Sequence, residues 1–195
     1  MNRTRIPLWL KWTYSLMVLI IVPVYWHDLG PANFLWFSDI ALIVMVPALW
    51  LESRFLASTM AVGVLLLELM WIMDFIAGGN LTQVAAYMFS SETDWHIRIL
   101  SGTFHLLLPP VLLLMLSRYG YDPRALPAQI ALAVIVVPVT YLVTDPSENI
   151  NWVYGPAQQQ DWIPPFWYLV LLLFAFVFLV YLPSHWVFKR FFPAR

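Results

Sequence analysis

Residues 94–110 read DWHIRILSGTFHLLLPP. The stretch begins polar and runs into an apolar segment. Asp94, Arg98, Ser101 and His105 recur at spacings of four, three and four. On an α-helix those offsets share one stripe. A polar stripe entering a lipid-soluble span costs several kcal/mol unless other polar groups face it. The remainder of the chain must therefore supply both the membrane fold and the groups that meet this stripe.

The composition agrees. Of 195 residues, 62% are hydrophobic and 11% charged, whereas soluble domains carry about a quarter charged residues. The mean hydropathy is +0.75. Eleven Trp, nine Tyr and thirteen Phe suit aromatic belts at membrane interfaces. The net charge of −1 offers nothing to nucleic acid. With no cysteine, disulfides, thiolate metal sites and a cysteine nucleophile are excluded.

Apolar runs divided by polar or Gly/Pro turns predict an all-α membrane protein with a six-helix transmembrane bundle, formed as a single transmembrane domain over 1–195. The spans fall at about 6–26, 33–50, 55–77, 94–116, 127–143 and 166–187. The first is expected to be a retained span, because VPVYWHDLGPAN lacks a small-x-small cleavage pattern and Lys11 and Trp12 sit like interface anchors. The stretches 78–93 and 144–165 become outer loops. Residues 81–90 are too short and too mildly apolar to cross, and are expected to lie in the interface.

Orientation follows from basic residues. With both termini cytoplasmic, Arg3, Arg5, Lys11, Arg54, Arg118, Arg124, Lys189, Arg190 and Arg195 lie inside, and Arg98 alone lies outside. A cell membrane location follows, with the bacterial inner membrane the expected one. Internal prolines (Pro23, Pro47, Pro109, Pro110, Pro138 and Pro183) favour kinks. No internal repeat of the transporter type is visible.

Asp39, Glu68, Asp74 and His105 lie inside spans. At about 1.5 Å per residue, Asp74 sits at about 5 Å, Asp39 at about 9 Å, Glu68 at about 14 Å and His105 at about 16 Å below the outer boundary. Intramembrane charges face the bundle interior and pair. Arg98 is expected to pair with Asp74 or Asp39. One Arg cannot neutralise three carboxylates, so at least one acid is expected to be protonated, hydrated or ligated to a cation. His185, near the inner end of the last span, is expected to snorkel.

Three chemistries suit these residues. His105 with Asp39 and Glu68 makes a His–carboxylate set that a metal ion could use as cofactor. Ser101 and His105 at i,i+4, with an acid orienting the His, suit nucleophilic or general-base catalysis. Arg98, with Asp74 beside it, suits an anionic head group. In the 144–165 loop, NINWVYGP alternates polar and aromatic residues, so Asn149, Asn151 and Trp152 are expected either to touch a ligand as a lid or to form an interfacial loop.

Two resemblances bear on function. The fragment SGTFH resembles the Ser-x-x-Phe-His piece of the alkaline ceramidase-like hydrolases, matched at Ser101, Phe104 and His105. The match covers five residues, LLLPP stands where that family has downstream acids, and its paired His in the last span are missing. The FSDIAL segment, the acid-bearing third span and the helix of His105 together resemble the YwaF-type bacterial integral membrane proteins. That resemblance implies an uncharacterised polytopic membrane family with lipid-directed activity.

Three functions remain in play: an enzyme acting on a lipid or amphiphile from the outer side, a non-catalytic scaffold or complex subunit, and a proton- or cation-coupled transporter. The expected partners are membrane lipids and a second membrane protein. An enzyme requires Asp39, Glu68, His105 and Arg98 to surround one outward-open pocket. A scaffold requires them to satisfy one another.

Overall fold

A computed structural model describes residues 5–156 and 158–193, so Arg3 and Arg195 of the orientation count lie outside the described residues. Among those described, all regular structure is helical. The principal helices are α1 (Leu8–Asp28), α2 (Phe37–Trp50), α3 (Arg54–Ile76), α4 (Trp95–Tyr119), α5 (Ala125–Val143) and α6 (Pro165–Phe191). Short 3-10 turns occupy Pro31–Leu35, Ala86–Phe89 and Ile150–Trp152.

Five of the helices are long and apolar enough to cross a membrane, and α2 is a shorter apolar helix. In hydrocarbon the backbone must satisfy its own hydrogen bonds, which is why unbroken apolar runs become helices here. Their ends follow local chemistry. Ser53 caps α3 by accepting from the Leu56 N–H at 3.3 Å. Gly78 and Gly79, with φ of +71° and +76°, close its other end, and the Gly79 N–H returns to the Asp74 carbonyl at 2.8 Å. Large apolar side chains stay exposed around the bundle, among them Leu19, Ile76, Leu142 and Leu179. That surface belongs in lipid, and this is a membrane protein.

The second predicted span, 33–50, is not one helix. It breaks at Trp36, between the turn Pro31–Leu35 and α2. The 14 residues of α2 rise about 21 Å, less than the roughly 30 Å of a bilayer core. The last predicted span is longer than expected, 27 residues, and its middle, Phe176–Tyr181, widens into a π-helical turn. Neither Pro109–Pro110 nor Pro138 interrupts its helix.

The axis of the bundle is α3. Within its most apolar window 61% of residues are buried, against 33% for α1 and 22% for α6. It packs against α2, α4, α5 and α6. Ala57, Ser58, Ala61 and Gly63 keep its surface small, which lets neighbouring backbones approach. A Cβ on Gly63 would lie 2.5 Å from Gln129 Nε2 of α5.

The two ends of the bundle differ in charge. One end gathers Lys11 with Glu52 at 2.9 Å, Arg54 donating to the Tyr121 carbonyl at 2.7 Å, Arg118 donating to the Arg5 carbonyl at 2.7 Å, and Arg124 with Asp122 at 2.8 Å. His185 belongs to this end, where its Nδ1 is 2.7 Å from the Tyr121 hydroxyl. At the opposite end Arg98 is the basic residue that accompanies the 78–93 loop.

Candidate functional site

Glu68 and His105 meet between α3 and α4. Glu68 Oε2 lies 2.7 Å from His105 Nδ1, with 2% of the Glu side-chain surface and 11% of the His exposed. With Glu68 as the carboxylate, which only accepts, Nδ1 is the donor. Nε2 takes no hydrogen bond among the described residues. The imidazole stacks on Trp71 at 4.2 Å with an interplanar angle of 15°. The Glu68 contact and the Trp71 shelf hold the ring from two sides and leave Nε2 as its unbonded nitrogen among the described residues.

Asp39 approaches from the first turn of α2 and is buried. Its Oδ2 is 3.5 Å from Asn33 Nδ2, and its Oδ1 has no hydrogen-bond partner among the described residues. Tyr25 of α1 lies beside both Asp39 and Ser101. Ser101, one turn from His105, is 2.5 Å from the Tyr87 hydroxyl. The Ser101 hydroxyl thus meets the 78–93 loop and His105 meets Glu68, and no Ser101–His105 hydrogen bond joins them among the described residues.

Asp74 and Arg98 stand apart from this cluster, so Asp39, Glu68, His105 and Arg98 do not surround one pocket as expected of an enzyme. Asp74 is fully buried, yet it meets no cation among the described residues. Its Oδ1 accepts from the Leu81 and Thr82 N–H groups at 2.8 and 2.7 Å, and its Oδ2 from the Ala85 N–H at 2.8 Å. Backbone donors replace its hydration. Arg98 was expected to pair with Asp74 or Asp39. Instead its Nε donates to the Thr93 carbonyl at 2.9 Å and an Nη to the Ser90 carbonyl at 2.5 Å. Both residues fasten the 78–93 loop, so the count of three acids against one Arg misjudged where the partners lie.

Asn149, Asn151 and Trp152 likewise hold backbone and rings. Asn151 Oδ1 accepts from the Phe37 N–H at 3.1 Å, and its Nδ2 donates to the Leu35 carbonyl at 2.7 Å, bridging the break before α2. Asn149 Nδ2 donates to the Gly155 carbonyl at 2.8 Å. Trp152 stacks on Phe176, 6.3 Å between centroids. Asn149, Asn151 and Trp152 have φ of +40°, +52° and +58°, a left-handed run that these bonds must hold in place.

Among the described residues no three His, Asp or Glu side chains converge closely enough to hold a metal ion. Asp39, Glu68 and His105 thus do not form the ligand set that their depths suggested. Sequence reasoning missed Tyr87, Trp71, Tyr25 and Asn33. The depth arithmetic followed charges, and aromatic residues at these positions are indistinguishable from interface anchors. Burial pushes the Tyr87 hydroxyl up from its ordinary value, so it stays a neutral hydrogen-bonding group. Elsewhere, an apolar groove of about 610 Å³ is lined by Ser15, Val18, Leu19, Val22, Pro23 and Trp26 of α1 with Val46 of α2. No family model matches the chain, and no curated protein or solved structure matches it either.

Proposed function

We propose that the chain is a six-span protein of the bacterial inner membrane with both termini cytoplasmic, and that its Glu68–His105 pair acts as a general base on a lipid or other amphiphile from the outer leaflet. The orientation rests on basic residues gathered at one end of the bundle. The chemistry rests on one observation, the 2.7 Å contact that holds His105 Nδ1 and leaves Nε2 unbonded. In this reading Nε2 takes a proton from water, and the water oxygen attacks an ester carbonyl of the amphiphile. The leaving alkoxide then recovers the proton, while Glu68 stabilises the transient imidazolium. The resemblance of the FSDIAL, acid-bearing and His105 segments to YwaF-type proteins points to the same lipid-directed activity.

The test is product analysis by mass spectrometry after reconstitution into phosphatidylethanolamine–phosphatidylglycerol vesicles. Wild type should release a cleaved lipid. His105→Ala should abolish release, and Glu68→Gln should slow it by about 10² or more. Equal release from wild type and His105→Ala, or none from wild type, would overturn the reading.

A second reading, a non-catalytic complex subunit, is favoured by Asp74 and Arg98, whose polar groups serve the loop. It predicts that His105→Ala loses stability while vesicle lipids stay intact in every sample.

A further inference from the structure

The Ala86–Phe89 turn sits between two fixed posts. On one side Asp74 holds the Leu81, Thr82 and Ala85 N–H groups. On the other Arg98 holds the Ser90 and Thr93 carbonyls. Between the posts the turn touches α4 through Tyr87, whose hydroxyl is 2.5 Å from Ser101 Oγ, and through Met88, whose methyl lies 3.2 Å from where a Cβ on Gly102 would be.

The apolar contacts of this turn are separate from the main core. Met88 and Ala85 cluster with Trp71, flanked by Phe75, Val84 and Tyr87. A turn whose apolar contacts are confined to one small cluster on Trp71, Ile72 and Phe75 of α3, apart from the main core, can leave without opening that core, and such units occupy the low-stability end of a fold. What it would uncover is specific. Trp71 belongs to this small cluster and its other neighbour is the His105 ring. Ser101, the turn's polar contact, lies one helical turn from His105 towards the end that carries the 78–93 loop.

We propose that Ala86–Phe89 is a flap over the Glu68–His105 pair, latched by the Tyr87–Ser101 hydrogen bond and hinged on the posts at Asp74 and Arg98. Opening admits an amphiphile to the imidazole. Closure returns Met88 to Gly102 and screens the site from the aqueous face. The role of the flap as a gate for substrate rests on the general-base reading above, whereas its movement does not.

The chain has no cysteine, so single introduced thiols report on the flap directly. The full chain, reconstituted in phosphatidylethanolamine–phosphatidylglycerol vesicles, is treated from the outer side with a membrane-impermeant maleimide. Met88→Cys, at a residue 8% exposed, should label at least about ten-fold more slowly than Phe89→Cys, at a residue 51% exposed. Adding Tyr87→Phe should speed Met88→Cys labelling about five-fold, the worth of one net hydrogen bond, and leave Phe89→Cys unchanged. Ser101→Ala breaks the same latch from α4 and should reproduce the effect if Tyr87→Phe fails to fold. Met88→Cys labelling as fast as Phe89→Cys with the latch intact would show no closed flap. Labelling unmoved by both latch variants would show a fixed wall. A flap that opens in a chain that leaves vesicle lipids intact would sink the general-base reading alone.

Discussion

Glu68 of α3 and His105 of α4 hold each other at 2.7 Å inside the bundle. Each is the other's polar partner, so the two losses should be unequal in an informative way. Glu68→Gln keeps a carbonyl oxygen for the His105 Nδ1–H. Glu68→Ala removes the acceptor and leaves a buried donor, which costs about 1–3 kcal/mol. The unfolding midpoint in detergent micelles should fall clearly further for Glu68→Ala than for Glu68→Gln. Equal falls would mean that the carboxylate charge, and not the acceptor, holds α3 to α4.

Among the described residues Asp74 carries no ion pair, and its N–H donors include those of Leu81, Thr82 and Ala85. Asp74→Asn turns one acceptor oxygen into a donor that faces an N–H group. The cost is about 1–3 kcal/mol, and it falls on the loop before the bundle. Amide exchange at residues 81, 82 and 85 should accelerate while α5 amides keep their protection. Uniform acceleration through the chain would show that Asp74 supports the whole bundle.

Gly63 and Gln129 occupy space that a methyl group cannot share. A Cβ at Gly63 would stand 2.5, 2.6 and 2.8 Å from Nε2, Cδ and Oε1 of Gln129. Gly63→Ala should therefore destabilise by about 1–3 kcal/mol as α3 and α5 are pushed apart. Among the described residues Gln129 makes a single side-chain hydrogen bond, 3.4 Å to the Tyr181 hydroxyl, and its Oε1 has no partner, so it can be trimmed. The double variant Gly63→Ala/Gln129→Ala should be more stable than Gly63→Ala alone, a coupling that a double-mutant cycle reads out. Additive losses would place the clash elsewhere.

These residues also show what was legible in the sequence. Helical spans were, because lipid forces every apolar run to satisfy its own backbone. The level of Glu68 and His105 was too, since about 14 and 16 Å of depth follow from a constant rise, and the two side chains do meet. The partners of Asp74 and Arg98 were not. Charge counting looks for opposite side chains, and these two are satisfied by peptide groups of a loop whose path depends on tertiary packing. The break at Trp36 was hidden for a related reason. Its hydrogen bonds come from Asn151, 114 residues from Phe37, and no local pattern announces a partner that distant.

Asn151 supports that break with two bonds and a left-handed backbone, φ +52°. Asn151→Gly loses the bonds but accepts the backbone. Asn151→Ala loses the bonds and adds about 1–2 kcal/mol of left-handed strain. Both leave the Phe37 N–H, at the start of α2, without its acceptor. The alanine variant should therefore unfold at the lower temperature, and both below wild type. If the two variants matched, the backbone at 151 would relax freely and the bridge alone would matter.

At the basic end of the bundle, pH should act through Asp122. The Arg124 side chain reaches both its oxygens, at 3.1 and 2.8 Å, and the Arg124 N–H adds a bond at 3.1 Å. That guanidinium first, then the backbone N–H and the Arg54 charge, hold the carboxyl below the usual carboxylate value against the opposing effect of burial. A folded value below the unfolded one, about 3.9, means that the folded protein binds fewer protons. The stabilisation is thus complete above about pH 4 and is lost as pH falls through the folded value. Glu52 acts with the same sign. Burial would raise it, but Lys11, Tyr119 and the Ile6 N–H outweigh that and bring it down. Unfolding midpoints measured between pH 7 and pH 3 should drop in the acid limb, and Asp122→Asn should flatten part of that drop while lowering the neutral plateau. An acid limb unchanged in Asp122→Asn would assign the whole pH dependence to other carboxylates, Glu52 first among them.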